Sequence, residues 1–342
     1  MFLLDWMCVK NKFCPARIRL DSIGIQEEGC LIDTKWINSI IIPSTQSIIN
    51  PSKYIDSSEC KLQCLKNISH GKFGYIDLAL YKKGDISQDV YVKRPIIPGK
   101  SLFYEACIQK LVGDSLANIG FPTGAPRLLS IFRLRDNSIC FAMEQIEGAK
   151  TLDKYLDSVP RGQIAEVVID CLLQLCAMVW HLDRTLGINH RDLKPSNFLI
   201  VERDAIERKI LTIDCDILEI DSKHDLTFID FGFSCLGSTE THKSDISLST
   251  VYSKEDPCPK EGRDMYLFLA FLYIDYHMLL PLKLLQLFES WLDISNSNLC
   301  KFIQKDKQSA KEWIYWITGN EKIKRFNTCP CRIIKDLQKF NK

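Results

Sequence analysis

Between Asn189 and Leu199 the chain reads Asn-His-Arg-Asp-Leu-Lys-Pro-Ser-Asn-Phe-Leu. Asp192, Lys194 and Asn197 stand close together inside what reads as a short loop. A carboxylate can orient a hydroxyl and take its proton, an ammonium can balance phosphate charge, and an amide oxygen suits Mg²⁺. Together these are the parts needed to move a phosphoryl group from a nucleoside triphosphate to an alcohol. The bland alternative is a polar turn between two apolar segments.

Other stretches supply elements that could position such a loop. Cys60–Leu65 alternates as a strand should and runs into Ser69-His70-Gly71-Lys72-Phe73-Gly74-Tyr75-Ile76. Glycines allow backbone N–H groups to close over phosphate oxygens, although a Gly-x-x-Gly turn is also common in plain hairpins. Val90-Tyr91-Val92-Lys93 is a β-branched and aromatic strand ending in a lysine that could be catalytic or simply solvated. Glu105 follows on a helical stretch, and two further strands are expected at 128–134 and 138–143. From Thr151, a plausible N-cap, the pattern turns helical, and Ile164–Leu186 reads as a long core helix. His181 on that helix reads as a packed or exposed histidine. After the loop, an acidic stretch at about 202–225 has the alternation of an elongated hairpin. Its charges could bind a cation or a basic partner, but a solvated face is the commoner use of such a run. An apolar strand then leads into Asp230-Phe231-Gly232.

In this order the segments resemble the motifs of eukaryotic-type protein kinases: glycine loop, strand Lys with helix Glu, His-Arg-Asp loop and Asp-Phe-Gly. The resemblance covers about residues 60–280. It implies an α+β, two-lobed fold, with a small antiparallel sheet plus one helix over a larger helical lobe. By that likeness, residues 59–147 form the small lobe and 148–342 the large lobe, with 1–58 as an extension packed on the first. It implies Ser69, Gly71, Gly74 and Ile76 over the phosphates of ATP, Lys93 held by Glu105, and Met143 behind the adenine. Backbone groups of Glu144 to Ile146 would meet the base, with Leu199 also in the nucleotide site. Asp192 would be the base and Lys194 would stabilise the transferring group, while Asn197 and Asp230 would hold Mg²⁺. Lys194 two residues after Asp192 resembles the Ser/Thr-specific form, so protein substrates bearing Ser or Thr are expected. Asp264 resembles the aspartate that braces the catalytic loop.

Several positions depart from the pattern. Ser69 replaces a glycine, Tyr91 replaces the usual alanine beside adenine, and Pro257, Pro259 and Glu261 only loosely replace Ala-Pro-Glu. These departures keep open a pseudokinase that signals by contact; a small-molecule kinase is a further alternative. The segment from Ser234 to about Glu261 is rich in hydroxyls, including Ser238, Thr239, Thr241, Ser244, Ser247, Ser249 and Thr250. Phosphorylation there would order the segment by pairing with Arg191. The Ile/Lys/Asn richness and compressed second lobe resemble kinases of large cytoplasmic DNA viruses.

Composition sets the outer limits. With 342 residues, 46% hydrophobic and 25% charged, the chain can bury a substantial core. A net charge of +1 offers no global reason to expect nucleic acid as a partner. The 15 cysteines are expected to be reduced thiols in a cytoplasmic setting. Cys60/Cys64, Cys171/Cys176 and Cys329/Cys331 lack the second pair of a structural zinc site. Met1–Trp6 has no basic leader and Asp5 interrupts it, which argues against a signal peptide. The stretch most like a membrane span, Met265–Leu282, is broken by Asp275, His277 and Pro281. It reads as a buried central helix, so no membrane insertion is expected.

Overall fold

Period-two alternation gives three strands at the start of the first lobe: β1 (Lys61–His70), β2 (Gly74–Lys83) and β3 (Ile86–Pro95). In the computed structural model they are followed by helix α1 (Phe103–Asn118) and strands β4 (Leu128–Arg133) and β5 (Ile139–Glu144). The structure describes residues 61–70, 74–134, 136–213, 216–237, 244–249, 251–253, 255–295 and 297–340, with short strands at 27–28, 31–32, 41–43 and 55–56. The remainder of 1–58, Gly71, and the hydroxyls of Ser238, Thr239, Thr241 and Thr250 lie outside the described residues.

The five strands form an antiparallel sheet in the order β4-β5-β3-β2-β1. Ile41–Pro43 adds a parallel strand beside β4, and Ile55–Asp56 an antiparallel one beside β1. Val90, Val92, Ile131 and Phe141 bury one core against Phe103, Ala106 and Cys107 of α1. The far end of α1 buries Ile108, Leu111, Val112 and Leu116 in the other core. One helix therefore serves both lobes, because apolar side chains surround it rather than forming a single stripe.

The second lobe begins with α2 (Leu152–Ser158) and α3 (Ile164–His181). A long hairpin, β6 (Phe198–Ile213) and β7 (Asp216–Phe228), follows the Asn189–Asn197 loop. Two short strands, β8 (Cys235–Gly237) and β9 (Ser244–Ser247), precede α4 (Arg263–Tyr276). Helices α5 (Leu282–Trp291), α6 (Leu299–Lys305), α7 (Lys307–Thr318) and α8 (Pro330–Phe340) complete it. This is the α+β, two-lobed arrangement expected from the sequence.

Some local expectations are corrected. Thr151 occupies the N-cap position of α2, but its side chain makes no capping bond. The apolar stretch from Met265 does not continue to Leu282: α4 ends at Tyr276, and Pro281 starts a separate helix, α5. Among the described residues the helical stretch long and apolar enough to cross a membrane is Arg161–Leu186, which contains α3, and 67% of its apolar window is buried in the fold. Among the described residues the expectation of reduced cysteines fails at Cys235 and Cys258, which form a disulfide. Their sulfurs are brought together because β8 pairs with Ile188–Asn189 while Lys260 N donates to Asn189 Oδ1 at 2.7 Å. The acidic stretch is the hairpin itself. Several of its carboxylates pair with cations of the same ladder, as Arg208 does with Asp221 at 2.6 Å and Lys209 with Asp225 at 3.2 Å. Among the described residues no group of three or more His, Cys, Asp or Glu side chains is arranged to hold a metal.

Candidate active site

Lys93 reaches the cleft because β2 and β3 pair Ile76 with Lys93, setting the lysine under the hairpin. Gly74 makes the close approach possible: a Cβ there would lie 3.0 Å from Arg94 O and 3.4 Å from Lys93 Cε. Ser69, opposite Ile76 on β1, is exposed. Lys93 itself is buried, with Nζ 2.5 Å from Glu105 Oε1 and 2.8 Å from Asp230 Oδ1. Burial alone would push the ammonium toward neutrality. The charges of Glu105 and Asp230 override that and raise its pKa. Burial pushes the Glu105 carboxyl above its usual range, with Lys93 pulling it back, whereas at Asp230 burial is outweighed only by the Lys93 charge and hydrogen bond together with the Gly232 N–H, and the carboxyl is held below its usual range.

Asp230 adopts φ +64°, a left-handed conformation in which Asp is among the better-tolerated residues. It turns the chain so that Phe231 is buried, its ring 5.0 Å from that of His190. The Asn189–Asn197 loop carries a second such residue, Arg191 at φ +66°. Asp264 holds it in place: its carboxylate accepts from His190 N at 2.7 Å and Arg191 N at 2.8 Å. His190 Nε2 donates to Ile229 O at 3.0 Å, joining the loop to the strand that ends at Asp230. Burial lowers the His190 pKa, consistent with a neutral ring in this role.

Asp192, Lys194 and Asn197 form one cluster. Lys194 Nζ lies 3.0 and 2.9 Å from the two oxygens of Asp192, and Asn197 Nδ2 donates to Asp192 Oδ2 at 2.8 Å. Asn197 is brought beside the Asp230 turn by the hairpin ladder, since Phe198 pairs with Phe228 and Ile229 N donates to Asn197 O at 3.1 Å. The donor set suits Mg²⁺: an amide oxygen remains on Asn197 after its nitrogen bonds to Asp192, and Asp230 carries a part-exposed carboxylate. Hard oxygen donors of this kind are what that ion prefers.

The residues expected to face a nucleotide are less uniform. Met143 is largely buried, with Gln109 Nε2 3.5 Å from its sulfur. Glu144 N donates to Arg127 O at 3.0 Å and Ile146 O accepts from Ala149 N at 3.3 Å, so those two hinge groups are already taken. Leu199 is half-buried on the opposite face of β6 from Phe198 and Ile200. Tyr91 pairs with Met143 and Lys93 with Phe141, so alternation places Tyr91 on the same face of β3 as Lys93. Tyr91 is half-buried, on the opposite face of the strand from Val90 and Val92, and still packs against the edge of that core.

Arg191 departs from the sequence expectation. It is fully buried, donating to Asp256 Oδ2 at 2.9 Å and to Ser247 Oγ at 2.7 Å. Arg263 and Lys260 (2.7 Å) share the same Asp256 carboxylate. An internal aspartate thus holds the position that a phosphate was expected to take. Sequence reasoning also missed Tyr252, whose hydroxyl donates to Arg191 O at 2.8 Å, and Tyr315, whose hydroxyl donates to Asp192 Oδ1. Neither lies in a motif: Tyr252 reaches the loop from the segment between β9 and α4, and Tyr315 from α7.

No protein-family model matches the chain. It is 34% identical over 143 residues to CDPK-related kinase 7 of Arabidopsis thaliana, a match covering 40% of this chain and 23% of that protein. It is 29% identical over 205 residues to a CDPK-related protein kinase of Daucus carota, covering 56% and 29% respectively. The matches span less than a third of the length of these relatives. Among solved structures, the BubR1 kinase domain aligns over 94% of this chain and 97% of its own, with 16% identity and a TM-score of 0.49.

Proposed function

Because the chain belongs to the protein-kinase superfamily, we propose that it is a Ser/Thr protein kinase that moves the γ-phosphoryl group of ATP to a protein hydroxyl. One observation carries the reading. Residues scattered from 93 to 230 gather into two adjoining clusters, Lys93–Glu105–Asp230 and Asp192–Lys194–Asn197. A protein that acted only by contact would have no chemical use for all six.

In this mechanism Lys93 holds the α- and β-phosphates, with Glu105 fixing its position. Asp192 accepts the proton of the substrate hydroxyl as that oxygen bonds to the γ-phosphorus and the bridging P–O bond to ADP breaks. Lys194 turns from Asp192 toward the transferring group. Asn197 and Asp230 would hold Mg²⁺, which supplies charge neutralisation at the phosphates. Most of the rate enhancement comes from positioning and charge rather than covalent chemistry. Cytoplasmic residence belongs to the same proposal; Cys107, Cys140, Cys171 and Cys176 are buried thiols, while Cys235 and Cys258 are bridged.

A pseudokinase is the second reading, favoured by Tyr91 on the cleft face of β3. Phosphate transfer from Mg·ATP to a generic basic protein, measured beside the thermal shift caused by ATP, separates the two. Transfer that disappears in Asp192→Asn while the thermal shift remains supports the kinase. A thermal shift without transfer in the wild type rejects it.

A further inference from the structure

Helix α7 carries Tyr315 into the cluster at the reacting centre, from a region no motif covers. We infer that Tyr315 is a positioning residue that holds the Asp192 carboxylate in its reactive orientation; this rests on the kinase reading of the site. Asp192 Oδ1 accepts from the Tyr315 hydroxyl and from Lys194 at 3.0 Å, and Oδ2 accepts from Lys194 at 2.9 Å and Asn197 at 2.8 Å. A carboxylate offers about four lone-pair sites, so all are engaged. When Lys194 turns to the phosphoryl group, one site is released on each oxygen. The substrate hydroxyl takes a released site, while Tyr315 and Asn197 still grip one oxygen each. With both oxygens held, the carboxylate cannot rotate about its Cβ–Cγ bond.

Tyr315 suits this task because it is rigid. Its ring lies edge-on to Phe233, at 6.4 Å, and to Phe271, at 5.7 Å. One turn further along α7, Thr318 Oγ1 is 3.4 Å from the Tyr252 hydroxyl, which donates to Arg191 O at 2.8 Å. Lys260 Nζ donates to Thr318 O at 2.9 Å. The same helix is therefore anchored to the catalytic loop at a second point, which fixes where the phenol can reach. A cavity of about 840 Å³ opens onto Asp192, Lys194, Tyr315 and Trp316, leaving room for an incoming polypeptide beside the phenol. Tyr315 makes and breaks no bond and acts through Asp192.

Steady-state transfer to a Ser/Thr peptide, with Tm measured in parallel, tests the inference in the full chain using Tyr315→Phe. The expected result is a roughly tenfold fall in kcat, the KM for ATP within about twofold, and Tm nearly unchanged, as for loss of one charge-assisted hydrogen bond. Tyr315→Leu, which also removes the ring, should lower Tm while kcat per folded molecule falls no further than in Tyr315→Phe. An unchanged or increased kcat in Tyr315→Phe overturns the inference, the latter because the phenol would then be an obstacle. A matching rise in the KM for ATP also overturns it, since that would report general distortion of the nucleotide site. No transfer by the wild type would instead remove the kinase reading, and the inference with it.

Discussion

Lys93 Nζ lies 2.8 Å from Asp230 Oδ1, although 137 positions separate them in the chain. The contact closes the two lobes over one charge, since Lys93 belongs to the small-lobe sheet and Asp230 follows the large-lobe hairpin. Glu105 on α1 completes it, and α1 is itself shared by both cores. The ion pair and the lobe interface are therefore one structural unit.

Lys93→Met should accordingly affect both activity and stability. It leaves the Glu105 carboxylate buried without its cation, which costs about 3–5 kcal/mol when one partner of a buried pair is removed. Transfer should fall at least ~100-fold, as is usual when an electrostatic contact to the reacting group is lost. Unfolding in urea and a phosphotransfer assay check the two parts separately.

Asp256→Ala should be among the most destabilising single changes in the large lobe. Arg191, Arg263 and Lys260 all depend on that one carboxylate, and all four side chains are fully buried. About 3–5 kcal/mol is expected from leaving buried charge uncompensated. A urea midpoint within error of the wild type would show that these cations do not rely on Asp256.

The same arrangement predicts independence from phosphorylation near Arg191. Phosphatase-treated and untreated protein should transfer phosphate at equal rates, because Asp256 already occupies the guanidinium. Ser247→Ala removes a single acceptor of Arg191 and should cost about 1 kcal/mol without abolishing transfer. A strong dependence on phosphatase treatment would restore the sequence-based expectation.

His181 gives a pH signature. Burial lowers its pKa to about 4, and its Nε2 lies 2.7 Å from Ser115 Oγ. The unfolded chain takes up the proton near the ordinary value of about 6.5 and the folded one does not, so this group removes stability as pH falls from about 6.5 to 4. His181→Gln should flatten that part of the Tm-against-pH curve by several degrees. An identical curve in the variant would mean that His181 is protonated equally in both states.

How much of this was legible beforehand differs residue by residue. Asp192, Asn197, Lys93, Glu105 and Asp230 were singled out as types suited to one chemistry in one order along the chain, and the structure brings them into two adjoining clusters. Asp264 could be picked out for a similar reason. The hairpin at 198–228 was visible in its alternation, whereas Gly71 lies outside the described residues.

Local pattern determined which segments become strands and helices, since backbone propensity and apolar periodicity are properties of neighbouring residues. It also singled out side chains whose chemistry would suit the transfer of a phosphoryl group. What only the tertiary structure decided was the company those side chains keep. Tyr315 reaches Asp192 from 123 positions away, Asp256 takes the place expected for a phosphate on Arg191, and Cys235 meets Cys258. Such contacts arise from how helices and loops pack on a shared core, and packing depends on the whole set of buried surfaces at once. No local window of sequence contains that information.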